Sequence, residues 1–212
     1  MKSPAPIVII GSQGFAKEVK WLIDEINATP QRERTYTFLG YIDQPKKPTA
    51  EKVLGDDHWA TQNLSKETQF IIAIGDPGVR KKVADIYLNA GFSPATLIHP
   101  SALLSPSVSV GLGTIICAGA ILTVDISVGN FCILNLHTTL GHGSTLAHYV
   151  TLSPGVHISG EVSIGSYCEV GTGAVVLPGK KIADHIYLGA GAVATTDLAE
   201  AGTYVGIPAK LI

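Results

Sequence analysis

Three sets of residues have types and spacings that could do chemistry. His137 and His142 lie five residues apart, and histidine can accept a proton or bind a metal ion. Near the start, the turn Gly11-Ser12-Gln13-Gly14 offers backbone N–H groups to a phosphate at a helix N-terminus. The three cysteines show no Cys-x-x-Cys spacing and leave one thiol unpaired in any disulfide scheme. They are Cys117, Cys132 and Cys168.

The composition excludes several classes of partner. Of the 212 residues 46% are hydrophobic and 15% are charged, which is ample material for a core. A net charge of −2 and a pI near 6.4 give no basic footprint for nucleic acid or an anionic membrane. No apolar run reaches the ~18 residues that span a bilayer, and the opening apolar stretch is too short for a secretory signal. We therefore expect a soluble protein of the reducing cytoplasm.

The chain divides into two unlike halves near residue 98. Residues 1–98 carry 12 of the 15 Lys and Arg residues and 11 of the 17 Asp and Glu residues. Residues 99–212 carry few charges but hold 16 of the 23 glycines. This shift predicts two domains, residues 1–98 and 99–212.

The first half predicts an α/β domain. Apolar runs at residues 7–10, 38–42 and 70–74 are typical of buried parallel strands. Apolar residues at helical spacing cover residues 15–26 and 79–90. Alternation of strands and helices implies right-handed crossovers and a small Rossmann-like sheet.

A strict period of six governs the second half. Every sixth residue from 104 to 188 is Leu, Ile or Val, and the next residue is usually small. Neither a helix nor a sandwich keeps such a period over this length. The fifteen stations are Leu104, Val110, Ile116, Leu122, Val128, Leu134, Leu140, Leu146, Leu152, Ile158, Ile164, Val170, Val176, Ile182 and Leu188.

Each hexad predicts one short strand and one corner of a triangular coil. The aliphatic residue points inward and the small residue lets the backbone turn. Three hexads close one coil, and coils stack at about 4.8 Å to give a parallel β-helix. Flat apolar sides commonly pack against identical copies, so we expect a homotrimer.

Three motifs, together with the repeat, resemble a known family. They are Gly11-Ser12-Gln13-Gly14-Phe15-Ala16-Lys17, Ile98-His99-Pro100-Ser101-Ala102 and Val205-Gly206-Ile207-Pro208-Ala209-Lys210. The chain resembles left-handed β-helix acyltransferases over nearly its whole length. It is most similar to the sialic acid O-acetyltransferase and nucleotide-sugar N-acetyltransferase family. This resemblance implies a trimer that uses acetyl-CoA to acetylate a sugar.

Acetyl transfer from a thioester needs a base for the acceptor's proton and a donor for the developing oxyanion. His142 lies two residues past the inward Leu140, hence at an outward corner, and the resemblance implies that it is the base. Gly160 lies 18 residues further on, almost directly above His142, and the family's glycine holds the thioester oxygen. Asn135 matches an asparagine that faces the sugar. Alternatively, His142 is an ordinary surface histidine.

Gly143 departs from the family pattern. Family members often carry Asp or Glu immediately after this histidine, a carboxylate that orients the imidazole and raises its basicity. In its place we expect His137 or a carboxylate of a neighbouring subunit; otherwise the base is weaker, or the acceptor amine arrives deprotonated. An Asp at position 143 is then expected to raise activity, provided that the corner needs no positive φ.

The resemblance implies that residues Gly11, Ser12, Gln13 and Gly14 line a site for a UDP-, dTDP- or GDP-sugar. Asp43 is expected near the base or ribose, and Asp76 and Arg80 near the same crevice, where such sheets bind ligands. Alternatively, the loop is a structural turn, since Lys17 replaces the third glycine of the dinucleotide pattern. Asp43 and Asp76 have an equally plausible structural role, in which each caps the segment of chain that follows it.

Acetyl-CoA is expected in the groove between two adjacent β-helices, without a metal ion. Small corners would let its pantetheine approach the backbone, although the fold needs small corners in any case. The candidate contacts are Gly160, Gly171, Thr172, Gly189, Ala190 and Gly191.

Two other functions fit parts of the pattern. A metal-dependent hydratase such as a γ-class carbonic anhydrase needs three protein ligands, and His137 and His142 suit two of them. Ser101 stands where the third is expected, so that site is incomplete. A non-catalytic β-helix that serves as a scaffold or a sugar-nucleotide sensor is the second alternative.

Overall fold

The first part of the molecule is an α/β domain on one parallel sheet. The computed structural model describes residues 3–29, 35–44 and 52–212. The elements of this domain are β1 (Ala5–Ile10), α1 (Gly14–Ala28), β2 (Tyr36–Ile42), β3 (Val53–Gly55), α2 (Asp57–Asn63), β4 (Gln69–Ile72), α3 (Pro77–Asn89) and β5 (Ser93–Pro94). Within the described ranges the strand order is β3-β2-β1-β4-β5 with every pair parallel, which is the order of a Rossmann-like sheet.

The sheet is covered by helices on both faces, as parallel sheets require. Successive residues of β1 point to opposite faces. Ile7 and Ile9 pack in the same core as the apolar side of α1, while Val8 and Ile10 share a core with α3. This arrangement confirms the predicted strands and helices. The short elements β3, α2 and β5 were not predicted, because they contain too few residues to show a period.

The rest of the described chain winds into a parallel β-helix with three sheets. The first sheet contains β6 (Leu97–Ile98), β9 (Ile115–Ile116), β12 (Ile133–Leu134), β15 (Thr151–Leu152), β18 (Glu169–Val170), β21 (Ile186–Leu188), β23 (Gly202–Val205) and β24 (Lys210–Leu211). The second contains β7 (Leu103–Leu104), β10 (Ile121–Leu122), β13 (Thr139–Leu140), β16 (His157–Ile158), β19 (Val175–Val176) and β22 (Val193–Ala194). The third contains β8 (Ser109–Val110), β11 (Ser127–Val128), β14 (Thr145–Leu146), β17 (Ser163–Ile164) and β20 (Lys181–Ile182).

The predicted coil of 18 residues is confirmed by the strand register. Ile121 pairs with Thr139, and Thr139 pairs with His157. From β7 to β20 the second residue of each strand is an aliphatic station of the repeat, and the stations from 116 to 188 lie buried in one core. Cys132 and Cys168 are also fully buried in this core, as filler. The architecture is consistent with a left-handed β-helix.

Three columns of turns connect the three sheets. We call them the aromatic corner, the cavity corner and the histidine corner. They comprise, respectively, residues 112–113, 130–131, 148–149, 166–167 and 184–185; residues 100–101, 118–119, 136–137, 154–155, 172–173 and 190–191; and residues 106–107, 124–125, 142–143, 160–161 and 178–179.

The aromatic corner packs against the α/β domain. Phe131, Tyr149, Tyr167 and His185 stack on one another with ring centroids 4.8 to 5.4 Å apart. Phe70 of β4 stacks on Phe131 at 6.3 Å. Phe131 and Tyr149 are buried in the same core as Phe70 and the apolar side of α3, so the α/β domain is held against the side of the β-helix.

Strand pairing of the coil stack begins at β6, which pairs with β9. The division of the chain between residues 98 and 99 stays a prediction. No helix within the described ranges is long and apolar enough to cross a bilayer.

Candidate active site

His142 projects from the histidine corner next to Gly160 of the following coil. The Glu161 N–H donates to the His142 carbonyl at 2.8 Å, which fixes the register between the two turns. A Cβ built on Gly160 would lie 2.6 Å from His142 Nε2, so the imidazole occupies the space that a larger residue would need. The His142 side chain is 67% exposed and can therefore meet a substrate.

The Gly160 N–H is an available hydrogen-bond donor. At the equivalent turn position of the aromatic corner, a side chain of the next coil accepts the N–H, as Asn130 does for Leu112 and His148 does for Asn130. The residue one coil beyond Gly160 is Pro178, which has no such acceptor. Within the described ranges the Gly160 N–H has no acceptor. A donor beside an imidazole is what an oxyanion needs.

A carboxylate lies beside His142, from a source that the sequence analysis did not anticipate. Glu161 Oε1 is 3.4 Å from His142 Nδ1, and the Glu161 side chain is 69% exposed. Within this chain the carboxylate beside His142 comes from Glu161, and His137 does not take that place; a carboxylate of a neighbouring subunit stays a prediction. His137 lies at the cavity corner, where its ring covers Gly119. The 18-residue spacing that places Gly160 above His142 also places Glu161 above Gly143, and this signal could have found it.

For an Asp at position 143 the structure favours the opposite outcome to the one expected from the sequence. Gly143 has a φ of +67°, in the left-handed region, but the backbone alone does not exclude an Asp, since Asp125 and Glu161 hold the same conformation in the adjacent coils. A Cβ at this position would collide with the Glu161 carboxylate. A second carboxylate at position 143 would therefore displace the one already in contact with His142.

Asn135 lines a cavity between the two domains rather than the histidine corner. This cavity has a volume of about 500 Å³ and is lined on the β-helix side by Asn135, Ser153 and Glu169 and on the other by Phe15 and Asp76. Burial, followed by the charge of Asp76, raises the pKa of Glu169. Strand β13 separates Asn135 from His142, so the structure does not bring these two residues together within one chain.

The Gly11–Gly14 loop lies at the carboxyl edge of the sheet, as predicted. Gly11 has a φ of +99°, and a Cβ there would lie 3.1 Å from the Ala73 carbonyl, so only glycine fits without strain. The Ser12 hydroxyl donates to Asp43 at 2.5 Å. Gln13 is the N-cap residue of α1, and Gly14 is the first residue of that helix.

A second cavity, of about 270 Å³, opens at this edge. Gly11 and Asp43 line it together with Gln44, Asp56 and His58. Asp43 is thus in place to face a ligand, although it also accepts the backbone N–H of Gln44. Asp76 accepts the Val79 N–H as the N-cap of α3, so the capping alternative holds for this residue.

Arg80 does not face a nucleotide, and its assignment to the substrate site is corrected. It is 1% exposed, and its guanidinium donates to the carbonyls of Phe131, Ile74, Gly75 and Tyr149 and to the Thr151 hydroxyl. These five contacts match the five N–H groups of the side chain. Burial lowers the pKa of Arg80 to about 10, so the group stays charged at neutral pH. Arg80 therefore joins the two domains.

The predicted acetyl-CoA contacts lie at two different corners. Gly160 belongs to the histidine corner, whereas the other five lie on or beside the cavity corner: Gly171, Thr172, Gly189, Ala190 and Gly191. The N–H groups of the three glycines in this set donate to backbone carbonyls. Within the described ranges the N–H groups of Thr172 and Ala190 have no acceptor, so these two could bind a ligand.

The cysteine thiols are poor candidates for a nucleophile. All three are buried and unpaired. Burial raises the pKa of Cys117 to about 12 and the pKa values of Cys132 and Cys168 to about 11. A thiol reacts as the thiolate, which is scarce at neutral pH under these conditions. Within the described ranges, no three His, Cys, Asp or Glu side chains are grouped so that they could hold a metal ion.

Comparisons with known proteins agree with this arrangement. Residues 6–87 match the PglD N-terminal domain family. Over 172 residues the chain is 29% identical to a GDP-perosamine N-acetyltransferase of Escherichia coli O157:H7, a match that covers 81% of this chain and 77% of that relative.

Two solved structures resemble the whole chain. PerB from Caulobacter crescentus, in complex with CoA and GDP-perosamine, has a TM-score of 0.89 at 31% identity, with 98% of this chain and 97% of that chain covered. The acetyltransferase domain of PglB from Neisseria gonorrhoeae FA1090, in complex with acetyl coenzyme A, has a TM-score of 0.90 at 28% identity, with 99% and 100% covered. The chain therefore belongs to the hexapeptide-type nucleotide-sugar acetyltransferases, with an N-terminal domain of the PglD family.

Proposed function

We propose that this protein transfers the acetyl group of acetyl-CoA to an amino group of a nucleotide-linked sugar. The observation that carries the proposal is the pairing of an exposed imidazole, His142, with the available N–H of Gly160 in the next coil. Relatives of this chain are named N-acetyltransferases of nucleotide sugars, and this favours an amine over a hydroxyl as acceptor. Such chemistry belongs to the cytoplasmic synthesis of surface glycans.

The reaction is a direct attack on the thioester. The acceptor nitrogen adds to the thioester carbonyl while His142 Nε2 removes its proton. The carbonyl oxygen becomes an oxyanion, and the Gly160 N–H donates a hydrogen bond to it. When the intermediate collapses, the C–S bond breaks and the CoA thiolate takes a proton from the imidazolium. The thioester is already activated, so no enzyme nucleophile is needed.

The nucleotide is proposed to bind to the α/β domain. The cavity of about 270 Å³ lies where parallel sheets of this kind hold their ligands. In this proposal Asp43 accepts from the base or ribose, and the N–H groups of the Gly11-Ser12-Gln13-Gly14 loop face the phosphates. The sugar then extends toward the larger cavity lined by Asn135. Solved relatives hold CoA together with GDP-perosamine, which supports a site for both substrates.

A homotrimer would complete the site. Asn135 and His142 lie at different corners, so a sugar that touches both residues needs two chains. The second sheet of the β-helix and its border expose apolar side chains, with Leu103 64%, Ile121 40% and Val124 47% exposed. Packing of these side chains against a second copy would bury them. Acetyl-CoA would then lie in the groove between two chains, next to Gly160 of one and the cavity corner of the other.

The test is an assay of purified protein with acetyl-CoA and a panel of UDP-, dTDP- and GDP-linked amino sugars and hydroxy sugars. Release of the CoA thiol is followed with a thiol reagent. We expect release with at least one amino sugar and none with its hydroxyl counterpart. Calorimetry with the same sugars and with NAD gives an independent readout. Tight NAD binding, with neither thiol release nor nucleotide-sugar binding, would contradict the proposal.

The metal hydratase and the non-catalytic scaffold are less well supported. The comparisons favour an acetyltransferase over both. Metal analysis of the active protein distinguishes an acetyltransferase from a hydratase, because acetyl transfer of this kind requires no metal ion.

A further inference from the structure

The contact between Glu161 and His142 joins residues of two successive coils. Glu161 Oε1 lies 3.4 Å from Nδ1, which is the ring nitrogen opposite to the one beside Gly160. A carboxylate on Nδ1 favours a proton on that nitrogen and leaves the lone pair of Nε2 free to accept one. Hydrogen bonds of catalytic groups are often long in unliganded enzymes and shorten in the substrate complex.

The backbone at this corner is arranged so that the carboxylate has room. Residues 125, 143, 161 and 179 stack one coil apart, and all have positive φ. Asp125 at +57° and Glu161 at +59° show that this position accepts an acidic residue, so the backbone conformation does not require glycine. Gly143 is distinguished by what lies above it, since any Cβ there would meet the Glu161 carboxylate.

We propose that Glu161 is the positioning residue for His142 and that Gly143 provides the space that this contact needs. The inference rests on the proposed function, because it assigns the residue that orients the proposed base. Glu161 acts only through the imidazole in this account and touches neither substrate. The stacking of successive coils therefore brings Glu161 and His142 together, although the two residues are not neighbours in the sequence.

The first experiment measures kcat and KM for Glu161→Gln and Glu161→Ala in the wild-type and His142→Ala backgrounds. Glu161→Gln keeps the shape of the side chain, and Glu200→Gln, at another exposed carboxylate, is the matched control. We expect Glu161→Ala to lower kcat about 10- to 100-fold, as when the carboxylate partner of a metal-bound histidine is removed. KM for acetyl-CoA should stay within about twofold, because Glu161 does not touch that substrate. In the His142→Ala background the same change should have no further effect, and Glu200→Gln should have none in either.

The second experiment moves the carboxylate from one coil to the other. Gly143→Asp alone is expected to lower kcat, because the two carboxylates compete for one space. Combined with Glu161→Ala, the Asp at position 143 has room beside His142, and kcat should recover to above that of Glu161→Ala alone. In ¹⁵N spectra of labelled histidine, the neutral His142 ring should carry its proton on Nδ1 in the wild type and lose this preference in Glu161→Ala.

Several outcomes would overturn the inference. One is an unchanged kcat in Glu161→Ala, and another is an equal loss of kcat in the His142→Ala background, which would indicate a structural role. A double variant no better than Glu161→Ala would also contradict it. These results leave the proposed function intact if the wild type still transfers acetyl groups. Absence of transfer by the wild type would instead contradict the proposed function itself.

Discussion

At the scale of residues, the proposed chemistry depends on three neighbours at the histidine corner. His142 supplies a proton acceptor, Gly160 supplies an N–H donor, and Glu161 supplies a carboxylate behind the ring. Gly160 also leaves open the space that the imidazole fills, because a Cβ there would lie 2.6 Å from His142 Nε2. Each residue is explained by what lies one coil above or below it.

Replacement of the base is the first test at this scale. His142→Ala should lower kcat by ~10²–10⁴, because the acceptor proton would have no positioned base in the transition state. His142→Asn keeps size and polarity but not basicity, so it should be nearly as slow. Steady-state kinetics and calorimetry with acetyl-CoA check both, and affinity for acetyl-CoA should stay nearly constant. An unchanged kcat in His142→Ala would leave positioning of the substrates as the main source of catalysis.

At the scale of elements, the sequence predicts the repeat far better than it predicts the contacts between domains. The hexad period identifies the inward stations from Leu104 to Leu188 because each coil repeats the same environment. The contacts of Arg80, in contrast, could not be predicted from the sequence. Its partners are carbonyls and a hydroxyl up to 71 residues away along the chain, and no local spacing reveals them. The position of Glu161 is predictable only in part. The 18-residue spacing of the coils places it above Gly143 once the fold is known.

Arg80 gives a prediction about the junction of the two domains. Arg80→Met leaves the buried acceptors of Phe131, Tyr149 and Thr151 without the guanidinium donors, and we expect the free energy of unfolding to fall by about 3 kcal/mol or more. The melting temperature should then fall by at least about 6 °C. Lys82→Met, at an exposed site of the same helix, is the control and should have little effect. An unchanged melting temperature with weakened nucleotide-sugar binding would return Arg80 to the substrate site.

The interior of the prism gives a second prediction at this scale. Leu152→Asp places an unpaired charge at a fully buried position among aliphatic side chains. We expect a loss of about 4 kcal/mol or more in the free energy of unfolding, read from thermal or denaturant unfolding. Ser163→Asp, at an outward and exposed strand position, should be close to neutral. A wild-type melting temperature for Leu152→Asp would refute the inward assignment of the repeat.

At the scale of the whole molecule, the separation of Asn135 and His142 at two different corners is the reason for proposing an assembly. Each chain carries both halves of the proposed site but at different corners of the prism. A trimer would bring the histidine corner of one copy to the cavity corner of the next. The sequence predicts such an assembly only through the flat apolar sides of the β-helix.

Assembly is tested by light scattering and by mixing variants. Light scattering should give the mass of three chains of 22.2 kDa each at micromolar concentration. Co-expressed His142→Ala and Asn135→Ala chains should be more active than either variant alone, because some interfaces then contain both intact residues. A stable monomer with full activity, or mixed trimers no more active than the separate variants, would contradict a shared site.

The most direct test of the account is to identify the atom that receives the acetyl group. Purified protein is incubated with acetyl-CoA and an equimolar mixture of a nucleotide-linked amino sugar and its hydroxyl counterpart, and the products are analysed by mass spectrometry and NMR. We expect a single acetyl group on the sugar nitrogen and an unmodified hydroxyl sugar. An acetyl group on oxygen, or no acetylated product with any sugar of the panel, would contradict it.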